Sequence, residues 1–401
     1  MSRTTYTAKL AMALAATLVL LSACKSRQEE TSADIVIGAS LPLSGAIAGF
    51  GSFQQWGYEH AVAEVNAAGG ITIDGVKRKV KLVLRDDKSD PNAVAANIDS
   101  LISADKSDAL LGSCTPPLII AGAIAAERNR TPFVTGCAPL VSFRAAKQWT
   151  YAWALFFDDA QLAETPFKTL KDLAVTTNNK VVILHDNSAD GLVIGGEMWP
   201  KFAASYGYQV VDRIEFPIDT TNFEASLQRA KNSGADVLLV DTITPLMVSI
   251  RKQMAALGYT PKVLVMEKGA EPAQFAEAVG ALADGVLVGG YWDVSFPYPG
   301  AKELGEAFTK ETNRTVSQHI ADSYTAAKVL LDAIAAAGTL DKEKVNAAIG
   351  TTDKIYPVGP VKFANNHSAP LDVVTTQWQK GEVKVVWPKE RGTAELMFPV
   401  P

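Results

Sequence analysis

An α/β architecture of parallel sheets in two domains is the fold class this sequence predicts, on three observations. Short β-branched runs alternate with longer stretches of helical period from Asp34 to about Gly300. The strand candidates are continuous apolar runs, as expected of strands covered on both faces. The chain has 401 residues, 48 % of them hydrophobic, which is more than one core of ordinary size accommodates.

In chain order, the first strand candidates are Ile35–Leu41, Val80–Leu84, Ala109–Leu111 and Phe133–Thr135. A second series is Tyr151–Phe156, Val181–His185, Gln209–Phe216, Val237–Val240, Val263–Met266 and Val286–Val288. Helices are predicted between them over Ser52–Asn66, Asp90–Ala104, Pro117–Arg128, Ala160–Leu173 and Leu192–Tyr206, then Asn222–Ser233, Pro245–Leu257 and Pro272–Val279. Strand–helix alternation at this spacing calls for helices on both faces of a parallel sheet. Asp90 before Pro91 reads as an N-cap and first helical residue. Thr221–Glu224 reads as a capping box. Gly69, Gly70 and Gly234 stand where helices end in left-handed backbone. After Gly300 the order changes: helices over Ala301–Asn313, Ile320–Ala337 and Asp341–Ile349 precede strands Val361–Phe363, Val373–Gln379 and Val383–Trp387. Lys380 and Gly381 turn the last hairpin.

The first 23 residues carry Arg3 and Lys9, no acid, and an apolar run Leu10–Leu21. About 20 apolar residues are needed to span a bilayer as a helix, so this is a signal-peptide pattern. It ends at Leu21–Cys24 (LSAC), which resembles a bacterial lipobox with Cys24 as the lipidated residue, followed by a polar tether to residue 33. Two cysteines then remain, Cys114 and Cys137, each just after an apolar run. In an oxidising compartment they are a disulfide candidate, with two buried thiols as the alternative. Net charge is −5 overall, and removing Arg3 and Lys9 takes it to −7. No basic cluster marks a nucleic-acid partner.

Catalytic patterns do not occur. There is no Gly-rich phosphate loop, no nucleophile elbow, no C-x-x-C and no H-E-x-x-H, and His60, His185, His319 and His367 are scattered. No cofactor and no metal are expected, and the chain reads as a non-enzyme. His185 and Asp186 end a strand, where open α/β sheets bind ligands.

An ordered set of segments is similar to the periplasmic solute-binding proteins for branched-chain amino acids of ABC transporters. It begins with Ile35–Gly45 (IVIGASLPLSG), Ala61–Ile71 (AVAEVNAAGGI), Leu84–Asp87 with Asp90 and Pro91, Leu111–Ser113 and Thr131–Phe133. It continues with Ile183–Asp186, Asp219–Phe223, Leu257–Thr260 and Asp322–Leu331 (DSYTAAKVLL), so it spans about residues 34 to 365. The resemblance implies the type I periplasmic binding fold: two doubly wound parallel-sheet lobes joined by three crossovers. One lobe would take 34–155 plus 291–366 and the other 156–290 plus 367–401. It implies a monomer, exported and lipid-anchored, that closes on a small ligand and is recognised by a membrane permease; a sensor serving a signalling partner is the second reading.

The resemblance also implies site residues. Ser113 and Thr115, then Thr135, Gly136, Cys137 and Ala138, fall where the family holds the ligand's charged end, with plain turn chemistry as the alternative. Phe50 falls where the family places an aromatic ring, and Trp292 lies near a crossover. Asn187 to Asp190 and Thr242 replace family tyrosine positions. The family's ammonium-binding acid falls at Glu267 or Lys268: Glu267 would suit an amino acid, whereas Lys268 would suit a carboxylate without an amine. Pro139 departs from a threonine of the amino-acid binders. Phe156, Phe157, Tyr291 and Trp292 could wall an aromatic or aliphatic acid.

Overall fold

The computed structural model describes residues 34–401. The segments expected to be signal peptide (1–23) and tether (24–33), with Cys24, lie outside the described residues.

The strands, in order, are β1 (Ile35–Leu41), β2 (Ile71–Ile73), β3 (Val76–Arg78), β4 (Val80–Asp86), β5 (Ala109–Leu111) and β6 (Phe133–Thr135). Next come β7 (Ala152–Phe156), β8 (Lys180–Asp186), β9 (Gln209–Phe216), β10 (Val237–Thr242), β11 (Val263–Lys268) and β12 (Leu287–Gly290). The tail adds β13 (Asp353–Tyr356), β14 (Gly359–Lys362), β15 (Ser368–Pro370), β16 (Val374–Gln379) and β17 (Glu382–Trp387). One sheet has the order β4-β1-β5-β6-β7-β15, with every neighbouring pair parallel. The other has the order β9-β8-β10-β11-β12-β16-β17, parallel as far as β12 and antiparallel beyond it.

Continuous apolar runs form the sheet centres because helices cover both faces. Ile35, Ile37, Ala39 and Leu41 of β1 and Val237–Val240 of β10 are fully buried. The helices Ala48–Ala67 and His319–Ala337 pack closely, and Gly57 permits it: a Cβ there would lie 2.8 Å from the Tyr324 nitrogen. Among the described residues no helix is long and apolar enough to cross a membrane.

Three segments pass between the sheets: after β7, after β12, and between β15 and β16. They are tied together at Phe156. Its carbonyl accepts the Leu371 N–H at 2.8 Å, and its ring meets Tyr291 edge-on at 4.9 Å. The last passage falls later than the 366/367 border read from the sequence, because Ser368–Pro370 pairs with Ala154–Phe156 in the first sheet.

Several local expectations differ. The helix expected over Leu192–Tyr206 begins earlier and is broken into Ala189–Gly191, a π-helical stretch Leu192–Met198 and Trp199–Ser205. The Thr221–Glu224 capping box does not form. Phe223 occupies the N-cap position, and its N–H is taken by the Gln253 side chain at 2.7 Å. The Asp90 cap forms as expected, accepting the Asn92 N–H at 2.9 Å.

Both sheets reverse strand order at one point. In the first, β4 and β5 lie on opposite sides of β1; in the second, β9 and β10 lie on opposite sides of β8. Crevices at the carboxyl ends of such strands are where open α/β sheets take ligands.

Candidate functional site

Those two carboxyl ends face each other. The cleft between them is lined from the first lobe by Phe50, Cys114, Thr115, Cys137, Pro139, Phe156, Phe157, Gln318 and His319. From the second lobe it is lined by Leu162, Asp190, Ile194, Asp241, Glu267, Lys268 and Glu271. The free space between the walls is about 60 Å³.

On the first wall, the loops after β5 and β6 are joined by a disulfide between Cys114 and Cys137, whose Cα atoms are 4.9 Å apart. The Thr115 N–H donates to the Cys137 carbonyl at 3.0 Å. Thr115 (φ 67°) and Cys137 (φ 64°) both hold left-handed backbone, as does Lys268 (φ 62°) on the facing wall. Such conformations cost roughly 1–3 kcal/mol each and concentrate at ligand sites.

His319 begins its helix at the cleft and is 4 % exposed. Its Nδ1 lies 2.8 Å from Asp322 and 3.0 Å from the Tyr291 hydroxyl, and its Nε2 lies 3.1 Å from Glu271 of the other lobe. Burial opposes the imidazolium, but Glu271 and Asp322 outweigh it and push its pKa up to about 10. Cys137, His319 and Asp322 come within 4.8 Å of one another. The Cys137 sulfur is committed to the disulfide, so no thiolate is present to ligate a metal.

On the second wall, strand register decides what meets. Asp241 pairs with Glu267 on one side and His185 on the other. The Lys268 ammonium is 2.9 Å from Asp190 and 3.9 Å from both Asp186 and Asp241. Burial works against that ammonium, yet the three carboxylates hold it above its ordinary range. Glu267 accepts the Gly289 N–H at 3.0 Å. Its carboxyl is pushed up to about 8, chiefly by burial. Burial likewise raises Asp241 well above the usual carboxylate range; Lys268 opposes this, while Asp190, Asp186 and Glu267 add to it.

Of the residues inferred from sequence, the structure brings Phe50, Thr115, Cys137, Phe157, Asp190, Glu267 and Lys268 into one cleft. Others stand behind it. Ser113 donates to Asp87 at 2.8 Å, Thr135 to the Gly136 carbonyl at 2.8 Å, and Thr242 to Asp186 at 2.8 Å. Gly136 lies against Asp322, and Ala138 is buried. Asn187 is exposed and accepts the Ile218 N–H at 3.2 Å. Trp292 donates to the Pro357 carbonyl at 2.7 Å and lines a separate groove of about 450 Å³ with Trp378 and Val383.

Sequence reasoning missed Asp241, Glu271, Gln318 and His319. The one local signal was the His319/Asp322 spacing, which places both on one helix face. Asp241 is one of several ionisable residues ending adjacent strands, and only the register brings them together.

Residues 34–382 match the periplasmic binding protein family. Among curated proteins the chain is similar to the Leu/Ile/Val-binding protein homolog 8 of Brucella abortus. The two are 27 % identical over 392 residues, covering 91 % of this chain and 93 % of the relative. Its fold is similar to that of a leucine-binding protein from Thermotoga maritima (TM-score 0.78, 24 % identity, 88 % of this chain and 97 % of that one). It is also similar to a branched-chain amino acid transporter substrate-binding protein from Streptococcus pneumoniae, solved with isoleucine (TM-score 0.79, 22 % identity, 89 % and 100 %).

Proposed function

This chain belongs to the periplasmic binding protein family, whose members bind solutes and are not enzymes, and from that premise we propose that it captures a small carboxylate-bearing solute, an amino acid, for an ABC permease. The observation carrying this reading is the cleft walled by the strand ends of both sheets. A ligand touching both walls favours the closed form, and closure is the signal a permease reads.

The solute's carboxylate is received by the first lobe, at the Thr115 hydroxyl and the main chain of Cys137. Loop donors fixed at strand ends suit an anion because they need no rearrangement. Phe50, Phe156 and Phe157 supply the apolar wall. The names of the similar proteins support an amino acid as the solute. The pattern at Leu21–Cys24 supports export and a lipid anchor at Cys24, which Cys24→Ala tests by releasing the protein from membranes.

A thermal-shift screen over amino acids, aliphatic acids and aromatic acids tests the solute. A ligand at 100 times its dissociation constant adds about 2.7 kcal/mol of stability. An amino acid giving the largest shift supports the reading, and a flat response across the panel contradicts it.

A further inference from the structure

Three buried carboxylate oxygens in the cleft have no hydrogen-bond partner: Oε2 of Glu271, which faces the His319 ring at 3.1 Å, and Oδ2 of Asp241 and Oδ1 of Asp190. Asp241 is 1 % exposed and Asp190 7 %, and both line the cleft. Leaving a buried charged acceptor unpaired is costly.

The charges around them do not balance. Lys268 faces Asp186, Asp190 and Asp241 at once. Asp186 is already served by Ser188, which donates from both its N–H and its hydroxyl, and by Thr242. Lys268 approaches Asp190 through Oδ2 and Asp241 only at 3.9 Å through Oδ1, which leaves the other oxygen of each acid free. The remaining groups around Asp241 are Glu267 from β11 and His185 from β8; His185 has its own Nε2 unpartnered and its Nδ1 3.0 Å from the Asp186 carbonyl. Asp159, from the helix after β7, also faces Asp190, and among the described residues no other cation is present in the cluster.

Resting on the solute-capture reading above, we propose that Asp190 and Asp241 form a cation subsite in which the solute's ammonium sits between their two free oxygens, and that Asp241 releases a proton to solvent as the ammonium arrives. Lys268 is then the fixed cation that holds this acid pair in place, not a contact to the solute's carboxylate. The proton on Asp241 keeps the empty, buried cluster near neutrality, and the ammonium replaces it charge for charge. Discrimination between an amino acid and its des-amino counterpart rests on Asp241.

Isothermal titration of the wild type and Asp241→Asn tests this. The probes are L-leucine and L-phenylalanine with their des-amino counterparts, 4-methylpentanoate and 3-phenylpropanoate, each in two buffers of different ionisation enthalpy. Wild type should bind an amino acid with a buffer-dependent heat that reports proton release, and should bind more weakly as pH is lowered. Asp241→Asn should weaken that amino acid about tenfold or more, abolish the buffer dependence and leave des-amino binding unchanged. Its unfolding temperature, measured alongside, should not fall, because Asn replaces a carboxylic acid that is already uncharged in the ligand-free protein. Equal amino-acid binding by the two proteins, or a wild-type heat independent of buffer, overturns the subsite while leaving solute capture standing. Des-amino acids binding the wild type as tightly as the amino acids does the same. If no probe binds the wild type, the solute-capture reading fails and the inference fails with it.

Discussion

Glu271 of the second lobe lies 3.1 Å from the Nε2 of His319 in the first, inside the cleft. Ser317, also of the first lobe, donates to the other Glu271 oxygen at 2.9 Å. The two lobes are therefore joined by a charge pair beside the ligand site, with the Phe156 ring of the crossovers 6.1 Å from that of His319.

Glu271→Gln removes that charge while keeping an acceptor for Ser317. The closed form should lose at least about 1.5 kcal/mol, the lower end for close charge pairs across an interface. Small-angle scattering of the ligand-free variant should show a larger radius of gyration than the wild type. Equal radii contradict the role.

His319 sets a pH dependence. Its pKa is raised from 6.5 to about 10 in the folded protein. A raised folded value means its stabilisation is complete below the ordinary value of 6.5 and is lost as pH rises through about 10. Wild-type unfolding temperature should fall across that window more steeply than that of His319→Gln. Parallel curves contradict the assignment.

Glu267 acts in the same direction by a different route. Its carboxyl is raised from 4.5 to about 8 by burial, so ionising it costs stability increasingly as pH climbs through that interval. Glu267→Gln should match the wild type at the acid end and exceed it near and above the upper end. A variant less stable than the wild type at every pH would show that the Gly289 contact requires the carboxylate.

Lys268 is predicted to be structural. Lys268→Met leaves Asp186, Asp190 and Asp241 facing one another and should cost about 3–5 kcal/mol, as for a buried charge pair with one partner removed. Adding Asp190→Asn should recover part of the loss. Chemical denaturation of the two variants measures both effects.

The Cys114–Cys137 bridge closes a separation of 23 residues and should contribute about 3 kcal/mol by chain entropy. The double serine variant should lose about that much stability when unfolded by denaturant. The protein purified from its own compartment should show no free thiol at either position.

Much of the architecture was legible because sheet-centre strands are recognisable by composition alone: the runs at Ile35–Leu41 and Val237–Val240 are buried on both faces. What escaped was short or mixed in composition. The β2–β3 hairpin has three-residue strands, and β15 contains Pro370, so neither shows a periodic run. The site divided in the same way. Thr115 and Cys137 were readable because they follow apolar strands and resemble a known pattern. The lysine question was not: Lys268 alone suggested a free cation facing the ligand. Three acids from separate segments neutralise it, and their convergence depends on β8, β10 and β11 lying side by side. His319 looked like an isolated histidine because its partner Glu271 lies on the other lobe.

A crystal structure with the strongest thermal-shift ligand bound tests the central claim most directly. The solute should lie between Thr115 and Cys137 on one side and Asp190 and Asp241 on the other, touching both lobes. A solute seated instead in the groove of Trp292 and Trp378, or touching one lobe alone, would contradict it.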